Sequence, residues 1–446
     1  MTTRSRITLA LLVPLCVLIF FQIIRDPYFR PIFSPEYWEV LGKAGQVLRI
    51  IHANYVDEEQ ASFEDLANEA LDSMVSSLDK YSHYLTPDQY ESYKKFNRME
   101  YVGIGVQVQE IGDRVHVIEV FESGSAAEQG ILPGDQILSA DGQEVAGLSL
   151  DKVVNLIKGP KGTTVGVRIR RNYPKAGTHS FIVERRDIIR ESVTNVQILP
   201  PDTGYLNIAK FTDNTPYLFA QALEDLQTQG ARSLVVDLRG NPGGLLNVCV
   251  EVASELLDDG QVVVSVRSRG DKSGDVHTAK VDGRKVTLPV VVLQDAQSAS
   301  ASEILAGCLQ SYGLAKVVGT RSHGKGTVQT VYNLKGKAGM VLTTAKYYLP
   351  DDRTVAGEGI KPDFVVQQLE GNPSLAHLSL MHRTDLTPFQ FRETYGIDPV
   401  PDLQLEAALQ YLQNGVVPVP VPKALPAPGV TGTSAPSPSS GNLPKP

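Results

Sequence analysis

From residue 191 to about 368, apolar runs of strand length alternate with segments of helical period, and polar or glycine-rich turns join them. Ser233 to Leu238 reads as a strand that enters Arg239-Gly-Asn-Pro-Gly-Gly244 and then a helix through Leu256. Val286 to Leu293 reads as a second strand, followed by a small polar turn and a helix from Ala301 to Leu309, and Lys316 to Gly319 as a third. Strands separated by crossover helices pair in parallel, so this pattern predicts βαβ units around a largely parallel sheet.

The rest of the chain has other periods. Residues 1–30 hold an apolar segment, and 36–98 read as helical, with Val40, Leu41, Val47, Leu48 and Ile51, then Leu66, Ala70, Leu71, Met74, Val75 and Leu78, at three-to-four spacing. Between 99 and 190 the alternation is that of strands: Gly103 to Glu110 and Val115 to Val120 flank a Gly112-Asp113 turn. A short strand from Gln136 to Ala140, an Asp141-Gly142 turn, a helix from Leu150 to Lys158 and a strand from Thr164 to Arg170 follow. Residues 369–415 form a C-terminal helical segment, with an amphipathic helix over 402–413, and 416–446, rich in Pro, Ser and Gly, read as a disordered tail.

A length of 446 residues allows two or three domains with cores, and 42% apolar with 21% charged residues is ordinary globular composition. A net charge of −8 argues against nucleic acid as a partner, since phosphate neutralisation requires excess Lys and Arg. The three cysteines make no disulfide framework; Cys16 lies in the apolar N-terminus, while Cys249 and Cys308 read as core side chains, with one bridge between them left open. After Arg4 and Arg6, the stretch Ile7 to Ile24 is apolar except for Thr8 and Gln22, about long enough to cross a bilayer core. It has no small-x-small cleavage site, so a retained membrane anchor is favoured over a cleaved signal peptide. Either reading puts most of the chain outside the cytoplasm.

Two constellations carry chemistry. In the first, Gly103 and Gly105 free backbone N–H groups to form an anion-binding nest, and Ile104 and Val106 continue into a strand to which a peptide can add. Val153, Val154 and Ile157 on the following helix are candidates to receive the peptide's last side chain. Together, Tyr101-Val-Gly-Ile-Gly-Val106, Gly124-Ser-Ala-Ala127, Gly130-Ile-Leu-Pro-Gly-Asp135 and Asp141-Gly142 resemble a PDZ domain over 99–190.

The second constellation has three pieces. Ser298-Ala-Ser-Ala-Ser-Glu-Ile304 lies where a strand passes into a helix, a place that exposes a nucleophile beside unpaired N–H groups, though such serines are more often helix caps. Gly324-Lys-Gly-Thr-Val-Gln329 sets a lysine between glycines, and a desolvated neutral amine can act as a base; an exposed loop lysine is the bland reading. A phosphate loop lacks its pattern here. The turn from Asp237 to Gly244 can aim N–H groups at an anion, or serve only as a βα connection.

In this order and spacing the pieces resemble the C-terminal processing, or tail-specific, peptidases. The resemblance spans about 36–368 and includes Asp79-Lys-Tyr-Ser82 and Gly357-Glu-Gly-Ile-Lys-Pro-Asp363; the 402–413 helix is also similar to the family's C-terminal segment. It implies a multi-domain α+β protein: a crotonase-like α/β serine protease core at 191–368 with an embedded PDZ domain and helical terminal segments. It also implies Ser300 as nucleophile, Lys325 as base, Gln329 orienting the lysine, and an oxyanion hole from the N–H groups of Ala301 and Gly243 or Gly244. Glu303 and Arg239 would support the site. No metal or other cofactor is implied. The implied partners are protein or peptide substrates held by their C-termini and, by analogy with dimeric family members, a second copy of the chain. Two positions depart from the family pattern: Ser311 stands where an acidic residue is common, and His323 where an aromatic precedes Gly-Lys. His323 raises a Ser-His pair as a minor alternative. The rival functions are a catalytically silent scaffold that binds C-termini, against which the intact Ser300, Lys325 and Gln329 argue, and a crotonase-like enzyme acting on thioesters.

Overall fold

The computed structural model describes residues 29–271, 274–281, 286–368 and 386–415. The apolar segment Ile7 to Ile24, Cys16 and the 416–446 tail lie outside the described residues. Among the described residues, no helix is long and apolar enough to cross a membrane. The chain divides into two compact units, one holding the residues up to Tyr93 together with Gln329–Thr344, the other Lys94–Val328 and the chain from Ala345 onward.

In the smaller unit the helical period of the sequence gives Pro35–Asn54 and Phe63–Ser76; Ser62 caps the second by accepting the Asp65 N–H. Helix Pro35–Asn54 buries none of its residues and leaves Trp38 and Val40 each 59% exposed. A short strand, His83–Leu85, pairs antiparallel with Gly339, Met340 and Val341.

The larger unit is built on a six-stranded sheet in the order Val193–Leu199, Thr203–Ile208, Ser233–Asp237, Val290–Gln294, Ala315–Gly319, Phe364–Val365. The first pair is antiparallel and all later neighbours are parallel. Its central strands are apolar over Leu234–Val236 and Val290–Leu293 because both faces are covered. Leu234, Val236 and Val292 meet helices Thr215–Thr228, Leu246–Ser254 and Ala301–Ser311 on one face. Val235, Val291 and Leu293 meet Leu405 and Ala408 of helix Leu403–Asn414 on the other. Cys249 and Cys308 are buried in the first layer as free thiols, which answers the bridge left open above.

Residues 106–184 of the same unit form a separate small antiparallel sheet, Val106–Ile111, Arg114–Val120, Gln136–Ala140, Thr164–Arg171 and Gly177–Glu184, with helix Leu150–Ile157 packed on it. The expected last strand at Thr164 is therefore followed by one more. An antiparallel pair, Glu100–Gly103 with Arg186–Ile189, stands at the point where the chain enters and leaves this module.

Candidate active site

Ser300 stands at the N-cap of helix Ala301–Ser311 with φ 56 and ψ −114. A serine avoids that backbone region, at a cost of roughly 1–3 kcal/mol, so the surroundings must hold it there. They do so through Glu303, which is fully buried one turn into the helix. Its Oε2 accepts the Ser300 N–H at 2.8 Å and the Lys325 N–H at 2.9 Å. Its Oε1 accepts the Gly324 N–H at 2.7 Å and the Ser322 hydroxyl at 2.6 Å. A single carboxylate thus joins the serine turn to the lysine loop. Ser322 Oγ in turn accepts the Ile360 N–H at 2.6 Å, and the Tyr347 hydroxyl donates to the Lys325 carbonyl. The stretch from Gly357 onward therefore braces the lysine loop; the Gly357 N–H donates to Gly324 O at 2.9 Å.

The glycine turn is locked to the same place. Asn241 is fully buried, and its carbonyl accepts the Ala299 N–H and the Ser302 hydroxyl, each at 3.0 Å. Its side chain accepts the Gly243 N–H at 2.8 Å and donates to Ile208 O at 2.7 Å. Gly243 has φ +99, and a Cβ there would stand 2.8 Å from Ser300 Cβ and 3.0 Å from the Ala301 nitrogen. A side chain is thus excluded twice, by backbone conformation and by space. A Cβ on Gly244 would lie 2.0 Å from Phe211 O. Of the two candidate glycine donors, Gly243 has its N–H committed to Asn241, whereas among the described residues neither the Gly244 nor the Ala301 N–H makes a hydrogen bond.

Lys325 is half-buried and His323 is exposed, its own N–H donating to Ser298 O at 3.0 Å. Ser311 Oγ bonds to Gly307 O and to Asp351. Gln329 belongs to the smaller unit. There its Nε2 donates to Thr343 Oγ1 at 3.2 Å, and Thr343 Oγ1 donates to Asp79 at 3.3 Å. The Thr343 N–H donates to Ser82 Oγ at 3.0 Å, so the Asp79-Lys-Tyr-Ser82 stretch holds the backbone and side chain that orient Gln329. Asp79 stays below the usual carboxylate range: partial burial works against it, but bonds from Tyr81, Ser82 and Thr343 prevail.

In the small module, Gly103, Ile104, Gly105, Val106, Val154 and Ile157 line one groove, together with Phe121, Ile188 and Arg190. Gly105, at φ +85, lets its backbone approach Gly124, whose Cα a Cβ on Gly105 would meet at 2.4 Å. Val153 departs from expectation. It is fully buried in the module's core, because the 3.6-residue turn points it at the sheet while its neighbour Val154 faces the groove.

Sequence reasoning singled out neither Asn241 nor Asp402. Asn241 was legible only as part of a turn motif; Asp402, at the N-cap of helix Leu403–Asn414, binds Arg239 across 163 positions. Burial alone would raise the Asp237 carboxyl beneath that arginine, but the guanidinium overrides it and holds the group below its ordinary value. Among the described residues, no group of three or more His, Cys, Asp or Glu side chains is placed to hold a metal ion.

Residues 202–366 match Peptidase family S41 and residues 94–170 match the PDZ domain. A carboxy-terminal-processing protease of Bartonella bacilliformis is 34% identical over 339 residues, 74% of this chain and 76% of that protein. A carboxyl-terminal-processing protease of Picosynechococcus sp. is 36% identical over 312 residues, 68% of this chain and 74% of that one. The solved structure of a putative S41 protease from Bacteroides fragilis shares the fold, with a TM-score of 0.54 at 17% identity, covering 83% of this chain and 97% of that one. The chain is therefore a serine-type protease with an embedded PDZ domain, and it belongs to the carboxy-terminal-processing proteases of peptidase family S41.

Proposed function

We propose that this protease cleaves proteins in their C-terminal region with a Ser300–Lys325 dyad, after its PDZ groove has captured the substrate's terminal carboxylate and apolar last residue. The observation that carries the reading is the shared Glu303 oxygen, which binds the backbones of Ser300 and Lys325 at 2.8 and 2.9 Å. In this mechanism the neutral Lys325 amine takes the Ser300 hydroxyl proton as Oγ attacks the scissile carbonyl carbon. The N–H groups of Ala301 and Gly244 receive the oxyanion, being the donors near Ser300 that the fold leaves uncommitted. The lysine ammonium then protonates the leaving amine, and water hydrolyses the acyl-enzyme through the same base. Gln329, four residues after the lysine, holds the amine through its side-chain oxygen while Thr343 takes its Nε2.

In the same reading Ile7 to Ile24 anchors the chain to a membrane, with the protease on the extracytoplasmic side. Helix Pro35–Asn54 is the surface for self-association, which the exposed Val40 and Val47, two turns apart on one side of it, support. The test is cleavage of an unfolded model protein, with and without an apolar C-terminus, by the wild type, Ser300→Ala and Lys325→Ala. Loss of cleavage in both variants, and slower cleavage of the blunted substrate, is expected. Cleavage that survives Lys325→Ala would refute the dyad, and equal rates on both substrates would refute capture by the C-terminus.

A further inference from the structure

The last described segment contains two helices, Pro388–Tyr395 and Leu403–Asn414. The first buries Phe391 and Tyr395 against Ile111 and Ile118 of the PDZ domain. The His116 ring meets Tyr395 edge-on at 5.4 Å, and the Asn172 amide donates to Glu393 O. The second helix covers one face of the core sheet.

Between them sits Asp402, buried at 7% exposure. Its Oδ1 and Oδ2 accept Nη1 and Nη2 of Arg239, both at 2.8 Å. Gln404 Oε1 accepts from Nη1 at 3.1 Å. Asp237 takes Nε at 3.0 Å and Nη2 at 2.6 Å. Every nitrogen of the guanidinium fork is thereby engaged, and the fork cannot turn.

Charge balance makes Asp402 unusual. Asp237, two residues from Arg239, already neutralises it, so a second carboxylate leaves a buried cluster with an excess negative charge, which is unfavourable. What Asp402 adds is orientation. It sets the plane of the residue that opens the turn through Gly240 and Asn241 to Gly243 and Gly244.

We propose that Asp402 is a positioning residue for catalysis, acting through Arg239 to hold the glycine turn in the geometry that receives the oxyanion, so that the C-terminal segment completes the active site. This rests on the reading of Gly244 and Ala301 as oxyanion donors.

The test uses the full chain carrying Asp402→Asn or Asp402→Ser. Both side chains keep an acceptor for the Leu405 N–H, so the helix cap survives while the charged fork is lost. Acylation by a fluorophosphonate probe is followed against probe concentration, with Ser300→Ala as control. Binding of an apolar-ended tail peptide and thermal unfolding are measured in parallel. The expected result is a maximal acylation rate about tenfold lower in both variants, with the half-saturating probe concentration and peptide affinity close to wild type and an unfolding midpoint lowered by no more than about 10 °C. Acylation at the wild-type rate in either variant would overturn the proposal. So would losses of acylation, peptide affinity and midpoint in step, since that is the signature of a structural role alone. A wild type no more reactive than Ser300→Ala would instead refute the Ser300 reading itself, and the proposal with it.

Discussion

Replacing Glu303 by glutamine isolates the carboxylate that joins the Ser300 turn to the Lys325 loop. The side chain keeps its shape and its place in a fully buried site, but one of its two acceptor ends becomes an NH2 donor. If the amide nitrogen takes the Oε2 position, it faces the Ser300 and Lys325 N–H groups; at Oε1 it faces the Gly324 N–H and the Ser322 hydroxyl. At Oε2 two hydrogen bonds are lost and two donors face a donor; at Oε1 the Gly324 bond is lost and the Ser322 hydroxyl must turn to accept, and in both cases the bonds that remain lose their charged acceptor. Each such bond contributes about 1.5–3 kcal/mol, so the variant should lose roughly 3–6 kcal/mol from the core. At about 2–4 °C per kcal/mol, the unfolding midpoint should fall by on the order of 10 °C. Ser322→Ala removes one bond to Oε1 and also leaves the Ile360 N–H without its acceptor, so it should cost a comparable amount, roughly 3–6 kcal/mol. Because Ser300 is held in a disfavoured conformation partly by this carboxylate, acylation should fall more steeply in Glu303→Gln than in Ser322→Ala. Circular dichroism melts and fluorophosphonate labelling measure the two effects. A Glu303→Gln protein with an unchanged midpoint and wild-type labelling would refute the claim that this carboxylate holds the site together.

Gly243→Ala places a methyl 2.8 Å from Ser300 Cβ and forces φ +99 on a residue with a side chain, so labelling of Ser300 should fall at least a hundredfold while tail peptides still bind; calorimetry and labelling check both. Burial, assisted by the charge of Arg114, pushes His116 down from 6.5 to about 4, and its Nδ1 has no partner. The buried ring is therefore neutral, and its contribution is intact above pH 6.5 and lost as the pH falls towards 4. At 1.36 kcal/mol per pH unit this amounts to about 3 kcal/mol; His116→Phe, beside Tyr395, should flatten the acid dependence of the melting midpoint. Val154→Asp should weaken binding of an apolar-ended peptide about tenfold or more with little change in midpoint, whereas Val153→Asp, in the module's core, should unfold the PDZ domain; equal effects of the two would contradict the groove assignment.

What could be read from the chain alone rests on signals that act over a few residues. The switch between 3.6-residue and two-residue periods located the parallel sheet from residue 191 and the strands of the PDZ module. Turn chemistry located Gly105, Gly243, Gly244 and the serine at the strand-to-helix junction, because the backbone there needs glycine or an N-cap residue whatever surrounds it. The groups that orient this site are different in kind. Asp402 meets Arg239 across 163 positions, and Thr343 meets Asp79 across 264, pairings that no local pattern announces. Helix Pro388–Tyr395 lies inside the segment read as helical, but its bounds and its docking were not legible, because the apolar stripe it buries is short, only Phe391 and Tyr395, and its partners lie on the PDZ domain. Val153 and Val154 are chemically alike, and only the direction from which the sheet packs decides which one faces the groove. Periodicity and turns are encoded locally, whereas hydrogen-bond partners and the side of a helix that is buried depend on which distant strands and helices the topology brings together.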